Sequence, residues 1–459
     1  MNSEQAVRVR ASENVTAGAD DGRRARRRAP RRAAAQWDPG VRHRSALDRL
    51  RAQESVRDPE LLPLRYARMA FSPWTYLRGA AAVMAADLAA APHSGLTVQM
   101  CGDAHILNFG LWASPERQLL FDARDFDETL PGPFEWDLKR LTTSVYVLAD
   151  AEQLAGGCGD DAAAAAVEGY RTAMRRYARM GELDIWYDRI TSDVPLRGLT
   201  SEFAEATARG IEKQARKRTH RGVARQLVSE DDGQRRISLD PMKRRDEGMT
   251  HEQRIRAYEQ VYETYLASIP PHLRRLVGRF GRVDSVRQIV GVGSVGMRVW
   301  LHLLEGDSGR QPLFSQAKQA TASVYEEFLG PSEFANHGER VVVGQRLMQS
   351  ASDIFLGHMR VDGYDYYVRQ FRDMKIIPNG KQISGYLPQF AAACGHALAK
   401  SHARSGDPEA ISGYLGKGNA FADGILRFAR AYAEQTRVDH ADLCAAIADG
   451  EIASAERGW

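Results

Sequence analysis

Residues 96–141 read LTVQMCGDAHILNFGLWASPERQLLFDARDFDETLPGPFEWDLKRL, and this stretch gathers most of the side chains on which the fold and its chemistry depend. Its apolar runs at 96–100 and 119–121 predict two short buried strands, with polar residues at the strand ends. Carboxylates that converge in a cleft repel one another unless a cation neutralises them, and Mg²⁺ binds such oxygens together with substrate phosphates. The stretch therefore predicts a metal and phosphate site within its acidic set, which is Asp103, Asp122, Asp125, Asp127, Glu128, Glu135 and Asp137.

The spacing of three residues assigns roles within that site. Asp103 and Asn108 stand five positions apart, as in the D-x-x-x-x-N catalytic loop of protein kinases, where the Asp accepts the hydroxyl proton and the Asn holds a metal ion. Asp125 opens an Asp-Phe-Asp sequence and matches the metal-binding Asp of the kinase D-F-G motif. We therefore expect Asp103 to be the catalytic residue, and Asn108 and Asp125 to bind Mg²⁺.

The run DFDETLPGPFEWDLKRL at 125–141 resembles the I-D-F/W…G…D-L-A segment of aminoglycoside and choline phosphotransferases, with Gly132 and Asp137 at the matching positions. Those families have the sequence H-G-D in the catalytic loop, whereas this chain has Cys101 at the His position. Because that His mainly packs and hydrogen-bonds the loop, we expect Cys to substitute for it. Three acidic residues are expected, taken singly, only to cap turns on a solvated face: Asp122, Glu128 and Glu135.

The composition is that of a globular protein large enough for two lobes. The chain has 459 residues, of which 27% are charged and 43% hydrophobic, and no apolar run approaches the roughly 18 to 20 residues that span a bilayer. Four scattered cysteines without a C-x-x-C pair indicate neither a disulfide framework nor a zinc site. We therefore expect a soluble cytoplasmic protein without a membrane partner.

A basic N-terminal segment, residues 1–36, contains RRARRRAPRRAAA at 23–35 and no signal-peptide core. We expect it to be a disordered, solvated tail; a nucleic-acid or acidic-membrane contact is the alternative. The net charge of +4 arises mainly from this segment, so nucleic-acid binding by the remaining chain is disfavoured. The helical pattern that follows carries three arginines that could reach phosphates, although surface ion pairing is favoured for each: Arg65, Arg68 and Arg78.

A second informative stretch begins at Val286, where two β-rich runs flank the sequence GVGSVG at 291–296. Glycines let a backbone approach phosphates closely, and the absence of a long following helix favours a kinase-type glycine hairpin over a dinucleotide-binding unit. The next predicted strand ends at Lys318, which matches the kinase Lys that contacts the α/β-phosphates. The ATP-binding residues are therefore expected to be Gly291, Gly293, Ser294, Gly296 and Lys318.

A helix predicted around 338–352 is expected to supply the acidic partner of Lys318. Glu339 is the first candidate, with Glu326, Glu327 and the neutral Gln345 as alternatives. The predicted strand at 366–371 leads into residues 372–375, where a kinase hinge would receive adenine. The helix at 390–407 resembles the kinase helix with L-x-x-L-H, and its nearest matches are Leu398 and His402.

These parts are those of a kinase-like fold in rotated order, with the catalytic loop first and the glycine loop after it. We therefore expect an α+β, circularly permuted, protein-kinase-like two-lobe fold, a rearrangement that is tolerated when termini lie at the surface. The expected units are a tail (1–36), an N-terminal helical segment (37–95), a helical lobe with the catalytic and metal loops (96–284), a small antiparallel β lobe (285–375) and C-terminal helices on the helical lobe (376–459).

The chain is also similar to a bacterial family of unknown function, number twenty-two fifty-two. The resemblance rests on RGAAAVMAADLA, GDAHILNFG, DFDETLPGPFEWDLKRL, VGVGSVGMRVW, GQRLMQSASDIFLG and YYVRQFRDMK, which together span most of residues 40–410. This family brings no established activity. The motifs alone imply an ATP- and Mg²⁺-dependent phosphotransferase acting on a hydroxyl, with a small molecule favoured over protein because no Arg precedes Asp103. A nucleotidyl transferase using an inverted ATP and a regulatory pseudokinase are the alternatives.

Overall fold

The computed structural model of the chain describes residues 18–231, 234–245, 261–306, 311–372, 374–376 and 378–456. Helices and antiparallel strands both occur, and the α+β class expected from the sequence is confirmed. The α-helices whose two ends both lie among the described residues are α1 (Ala19–Arg28), α2 (Ala46–Ala52), α3 (Leu62–Met69), α4 (Pro73–Gly79), α5 (Ala81–Ala89), α6 (Phe134–Ala151), α7 (Cys158–Tyr177), α8 (Glu182–Tyr187), α9 (Ser201–Lys217), α10 (His220–Leu227), α11 (Pro271–Val277), α12 (Glu326–Leu329), α13 (His337–Met348), α14 (Gly380–Ile383), α15 (Leu387–Ala403), α16 (Pro408–Leu415) and α17 (Ala420–Ala448).

In the described part of the chain, the strands form one larger sheet and three two-stranded ribbons. They are β1 (Thr97–Met100), β2 (Phe109–Ala113), β3 (Leu119–Ala123), β4 (Leu130–Pro133), β5 (Val228–Asp231), β6 (Gln234–Ile237), β7 (Lys243–Arg244), β8 (Phe280–Gln288), β9 (Val299–Gly306), β10 (Pro312–Ala320), β11 (Gly357–Val361) and β12 (Tyr364–Gln370). The larger sheet has the order β11-β12-β10-β9-β8-β7, and the ribbons are β1-β4, β2-β3 and β5-β6.

The larger sheet is antiparallel and covered on both faces. Its alternating pattern buries Val286, Leu301 and Phe314 against α10, while Ala317 and Val368 pack against the segment around 261–277. Lys318 of β10 lies between Val299 of β9 and Tyr367 of β12 in the register. The hairpin β8-β9, with the glycine sequence in its connection, is therefore the direct neighbour of the lysine strand.

The helical part is built around α6, whose side chains are almost all buried. It packs with α7, α15 and α17, and α7 approaches α15 closely because Gly169 and Gly395 face backbone carbonyls of the opposite helix. Aromatic rings fill the centre of this bundle, with centroids 5.8 to 6.0 Å apart in the pairs formed by Phe134 with Tyr170, Tyr414 and Phe421. This rigid core supports the ribbon β1-β4, because α6 begins directly after β4.

The two ribbons β1-β4 and β2-β3 bring the polar loops of residues 101–129 together. Asp103 follows β1, Asn108 precedes β2, and Asp125 follows β3. Gly102 is required at this point, since its φ is +83° and a Cβ there would lie 2.3 Å from the carbonyl oxygen of Glu128. The backbone of one polar loop thus packs directly against the other.

Part of the predicted disordered tail is helical, so that prediction is wrong for residues 18–36; residues 1–17 lie outside the described part. Helix α1 packs on α16, and Gly22 permits the contact. Arg26 Nε donates to the Tyr414 carbonyl at 3.1 Å, and Arg31 Nη1 donates to the Leu415 carbonyl at 3.0 Å. The arginines therefore satisfy the free carbonyls at the C-terminal end of α16, which sequence composition alone does not reveal.

The expected boundary at 284/285 also differs from the structure. Strand β8 runs across it from Phe280 to Gln288, and β7 joins the same sheet from further upstream. The interval 218–248, which precedes that boundary, contains α10, β5, β6 and β7 among its described residues. Across the described ranges, no helix is both long and apolar enough to cross a bilayer.

Candidate active site

A cleft of about 970 Å³ lies between the larger sheet and the polar loops of the helical part. One wall carries three of the predicted residues, Asp103, Asn108 and Asp125, and the other carries Gly291, Gly293, Ser294 and Lys318. The Lys318 Nζ is 4.0 Å from Asp125 Oδ1 and pairs more closely with Asp127. Two regions some 190 residues apart in the chain therefore meet across one cleft.

The loop that carries Asp103 is held by a buried carboxylate. Asp137, in the first turn of α6, accepts hydrogen bonds from the backbone amides of Cys101 at 2.6 Å and Gly102 at 2.9 Å. His402 Nε2 lies 3.3 Å from the same carboxylate, and the Cys101 thiol donates to the Asp125 carbonyl at 3.1 Å. Cys101 thus links the loop of Asp103 to the loop of Asp125.

Asp103 sits at the cleft with a strong cationic partner. Arg140 of α6 donates from Nε to Asp103 Oδ1 at 2.9 Å. Burial nevertheless raises the pKa of Asp103 above its usual value, although Arg140 opposes that shift. Asn108 Nδ2 donates to the Asp103 carbonyl at 2.6 Å, which fixes the amide beside it. A carboxylate of raised basicity, held in place, is what a general base for a hydroxyl requires.

Asp125 has the opposite electrostatic character. Burial alone would raise its pKa, but Lys318, Arg369 and Arg124 lower the pKa to about 2, so the carboxylate is ionised at neutral pH. Its Oδ1 is buried and has no hydrogen-bond partner among the residues that the structure describes. An ionised oxygen without a donor is a suitable ligand for a hard cation.

The described side chains of the cleft do not form a closed cage for a metal ion. Within the described part of the chain, no three His, Cys, Asp or Glu side chains cluster closely enough to hold a metal ion. Mg²⁺ does not require such a cage, because it usually binds one or two carboxylates and completes its shell with waters and substrate phosphates. Asp125, with its unsatisfied oxygen, and Asn108 fit this pattern.

Lys318 is buried, and its carboxylate partner differs from the predicted one. Burial would lower the pKa of the amine, but Asp125 and Asp127 raise it well above its usual range. Asp127 pairs with Lys318 and also accepts a 2.8 Å hydrogen bond from the Tyr367 hydroxyl. The Asp-x-Asp spacing at 125–127 was the signal in the sequence, because it places both carboxylates on one loop.

Glu339, predicted to pair with Lys318, occupies a different place. It lies in the first turn of α13, where its backbone amide donates to Asn336 Oδ1 at 3.1 Å, and its charge acts on His358 of β11. The alternatives also have other partners: Glu326 accepts from the Ser323 amide, Glu327 pairs with Arg49, and Gln345 bonds Gln349. Helix α13 instead contacts the acidic loop through Arg340, which donates to the Asp127 carbonyl at 2.8 Å.

The glycine sequence forms a tight turn pinned to the N-terminal helices. Gly291 and Gly296 have φ of +70° and +88°, and the Ser294 hydroxyl donates to the Val290 carbonyl at 2.9 Å. Arg57 Nη1 donates to the Gly293 carbonyl at 2.7 Å and Arg68 Nη1 to the Gly291 carbonyl at 2.7 Å. Gly296 backs onto Arg57, and neither it nor Glu339 is among the residues that form the cleft lining.

Several charged residues of the cleft were not predicted as site residues. Arg124, Arg369 and Lys375 line the end next to the expected hinge, where burial and neighbouring arginines lower the pKa of Lys375 to about 7. Burial raises the pKa of Glu128 to about 7. The sequence did not indicate these residues, because a single charged residue forms no recognisable motif. Their place in the cleft is evident only from the fold. Asp373, part of the expected hinge, lies outside the described residues.

Comparison with known proteins identifies one family, whose description names no activity. The family model described as an uncharacterized protein conserved in bacteria (DUF2252) matches residues 57–446. This match runs from the N-terminal helical segment into the last helix. No curated protein and no solved structure matches the chain.

Proposed function

We propose that the chain, which belongs to the DUF2252 family of uncharacterised proteins conserved in bacteria, is an ATP-dependent phosphotransferase that acts on the hydroxyl of a small molecule. The observation that carries this proposal is the approach of Lys318 to Asp125 and Asp127, with Lys318 Nζ 4.0 Å from Asp125 Oδ1. Phosphoryl transfer depends on positioning and charge neutralisation, and the cleft supplies both signs of charge on facing walls.

The order of structural parts supports a permuted kinase-like arrangement. In one sheet, the glycine hairpin β8-β9 adjoins the lysine strand β10, which adjoins β12 and the expected hinge. A helix, α13, follows β10 in the chain and packs on the sheet. The Asp103 and Asp125 loops face this sheet from the helical part, although they precede it in sequence.

Each residue has a defined task in the proposed reaction. Asp103 accepts the proton of the acceptor hydroxyl as the new bond from that oxygen to the γ-phosphorus forms. The bond from the γ-phosphorus to the bridging oxygen breaks, and ADP leaves with the electron pair. Lys318 holds the α/β-phosphates, and backbone amides of the glycine turn cover them. Mg²⁺, held by Asn108 and Asp125, would neutralise charge on the phosphate oxygens.

Nucleotidyl transfer is the second candidate, and one observation favours it. The hinge end of the cleft, where a kinase binds the uncharged adenine ring, carries Arg124, Arg369 and Lys375. Positively charged side chains at this end would bind phosphates better than an adenine base. This arrangement suits an ATP molecule bound in the inverted direction. The full set of Asp103, Asn108, Asp125 and Lys318 disfavours the third reading, a pseudokinase.

Label transfer from ATP tests the proposal and separates the two reactions. Wild type would be incubated with Mg²⁺, a panel of hydroxyl-bearing metabolites and ATP labelled at either the γ- or the α-phosphorus. We expect γ-label in the product and loss of more than about a hundredfold in rate for Asp103→Ala and Lys318→Ala. Asp150→Asn, at an exposed ion pair with Arg437, is the matched control. Transfer of α-label would establish the second candidate, and equal behaviour of all variants would refute the assigned roles.

A further inference from the structure

Arg78 is a cleft residue to which the reaction proposed above assigns no role. It lies in the last turn of α4, a helix whose start is capped by Ser72. Its side chain lines the cleft, with the guanidinium carbon 6.0 Å from the centre of the Trp74 ring. That ring also packs edge-on against His105, at 5.6 Å between centroids. The guanidinium is thus held on a rigid aromatic support beside the catalytic loop.

The neighbouring arginines all have acceptors, whereas Arg78 has none in the described part of the chain. Arg57 donates to the Gly293 carbonyl, Arg65 to the Gly79 carbonyl, and Arg140 to Asp103 and the Leu77 carbonyl. The Nε atoms of Arg57 and Arg65 are also buried and unpaired, but each of these side chains donates through another nitrogen. For Arg78, no guanidinium nitrogen has an acceptor among the described residues, and its Nε is buried. Asp103 pairs with Arg140, and no carboxylate of the described residues lies within ion-pair distance of Arg78. A buried N–H group without an acceptor is costly, and because Arg78 lines the cleft, a ligand bound there would supply that acceptor.

The surroundings of Arg78 define where such a ligand would sit. Its backbone carbonyl lies against the glycine turn, since a Cβ on Gly293 would be 3.1 Å from the Arg78 oxygen. On the other side, the charges of Asp103 and Asp125 act on the guanidinium, and they oppose the lowering of its pKa by burial. Arg78 therefore stands where the phosphate turn, the proposed base and the proposed metal ligand meet.

We propose that Arg78 binds the phosphoryl group while it is transferred and is a catalytic residue of this site. The ligand class is a trigonal phosphoryl group with negative charge on its three equatorial oxygens. Arg suits this task because its planar fork donates two hydrogen bonds to neighbouring oxygens and keeps its charge. The inference rests on the proposed function and extends it: α4 of the N-terminal segment would complete the site in cis, as arginine fingers do in other phosphoryl-transfer proteins.

Aluminium fluoride provides a test that needs no acceptor substrate. Together with MgADP, it mimics the phosphoryl group in the transition state of transfer. The ratio of MgADP affinities with and without aluminium fluoride therefore measures how strongly the site binds that group. We expect wild type and Arg209→Ala, a surface-arginine control on α9, to bind MgADP more tightly when aluminium fluoride is present. Arg78→Ala and Arg78→Lys should bind MgADP within about twofold of wild type yet lose about a hundredfold or more of the enhancement.

Arg78→Lys keeps the positive charge and carries the test if Arg78→Ala does not fold. Added guanidinium should restore part of the enhancement to Arg78→Ala. A full enhancement in folded Arg78 variants would overturn the role of Arg78 and leave the proposed function standing. Absence of MgADP binding by wild type would overturn both.

Discussion

At the level of single residues, the two carboxylates of the proposed site differ because their neighbours differ. Asp103 is buried beside one pairing arginine, and its pKa is raised, whereas several cations around Asp125 lower its pKa to about 2. One carboxylate thus suits proton transfer and the other permanent charge. Both positions were predicted from the sequence, but the sequence pattern gave no indication that Arg140 pairs with Asp103 or that Asp127 pairs with Lys318.

Glu128 should make stability depend on pH. The pKa of Glu128 is about 7 in the folded protein, whereas an unperturbed glutamate, as in the unfolded chain, has a pKa of 4.5. Between these two pH values, the folded protein therefore binds more protons than the unfolded chain. Stability attributable to Glu128 therefore falls as pH rises from about 4.5 to 7. Glu128→Gln should remove this loss, so its advantage over wild type should grow across that range by at most about 3 kcal/mol.

Urea unfolding of Glu128→Gln and wild type at pH 5 and pH 8 measures this difference. Glu333→Gln, at an exposed loop position, is the control and should show no such growth. An advantage of equal size at both pH values would contradict the raised pKa of Glu128.

The buried pair of Lys400 and Asp122 should be essential for stability. Both side chains are fully inaccessible, and Ser350 donates to the same carboxylate. An unpaired buried charge is far less favourable than a buried ion pair. Lys400→Met should therefore lower the free energy of unfolding, measured in urea, by about 3–5 kcal/mol. The double variant Asp122→Leu with Lys400→Met should lose less than the single one. Additive losses would show that the two groups do not depend on each other. Asp122, predicted to cap a solvated turn, is thus a core residue.

At the level of elements, the contact of α1 with α16 depends on a glycine. A Cβ at Gly22 would lie 1.9 Å from the Ala410 carbonyl oxygen, so Gly22→Ala forces the helices apart and should cost about 1–3 kcal/mol. Gly210 of α9 is also helical but has open space around it, and Gly210→Ala should stabilise by about 0.5–1 kcal/mol. Thermal unfolding of both variants checks the opposite signs. If Gly22→Ala were as stable as Gly210→Ala, α1 would not be docked.

Elements with a strong pattern were predicted well from the sequence. The apolar runs at 299–304 and 312–318 lie within β9 and β10, whereas the run at 286–290 meets β8 only at residues 286–288, the last three of that strand. Helix α1 was missed because its arginines indicated a solvated tail, whereas the free carbonyls of α16 bind them. That interaction joins residues nearly 390 positions apart, and local pattern cannot report it.

At the level of the whole molecule, the proposed site exists only because two distant parts of the chain face each other. The glycine turn belongs to the sheet, yet Arg57 and Arg68 of the N-terminal segment hold it in place. The acidic loops belong to ribbons anchored by α6. Family patterns predicted that Lys318 would meet a helix glutamate, but the fold offers Asp127 instead.

Calorimetric titration of the wild-type protein with ATP, in Mg²⁺ and in EDTA, tests the central claim most directly. The account predicts one saturable ATP site that requires Mg²⁺. Asp125→Asn should lose the dependence of ATP binding on Mg²⁺, and Lys318→Met should bind ATP at least about tenfold more weakly than wild type. Lys213→Met, an exposed lysine of α9, should bind as wild type does. Absence of binding heat from wild type at millimolar ATP, or equal affinities in all variants, would contradict the account.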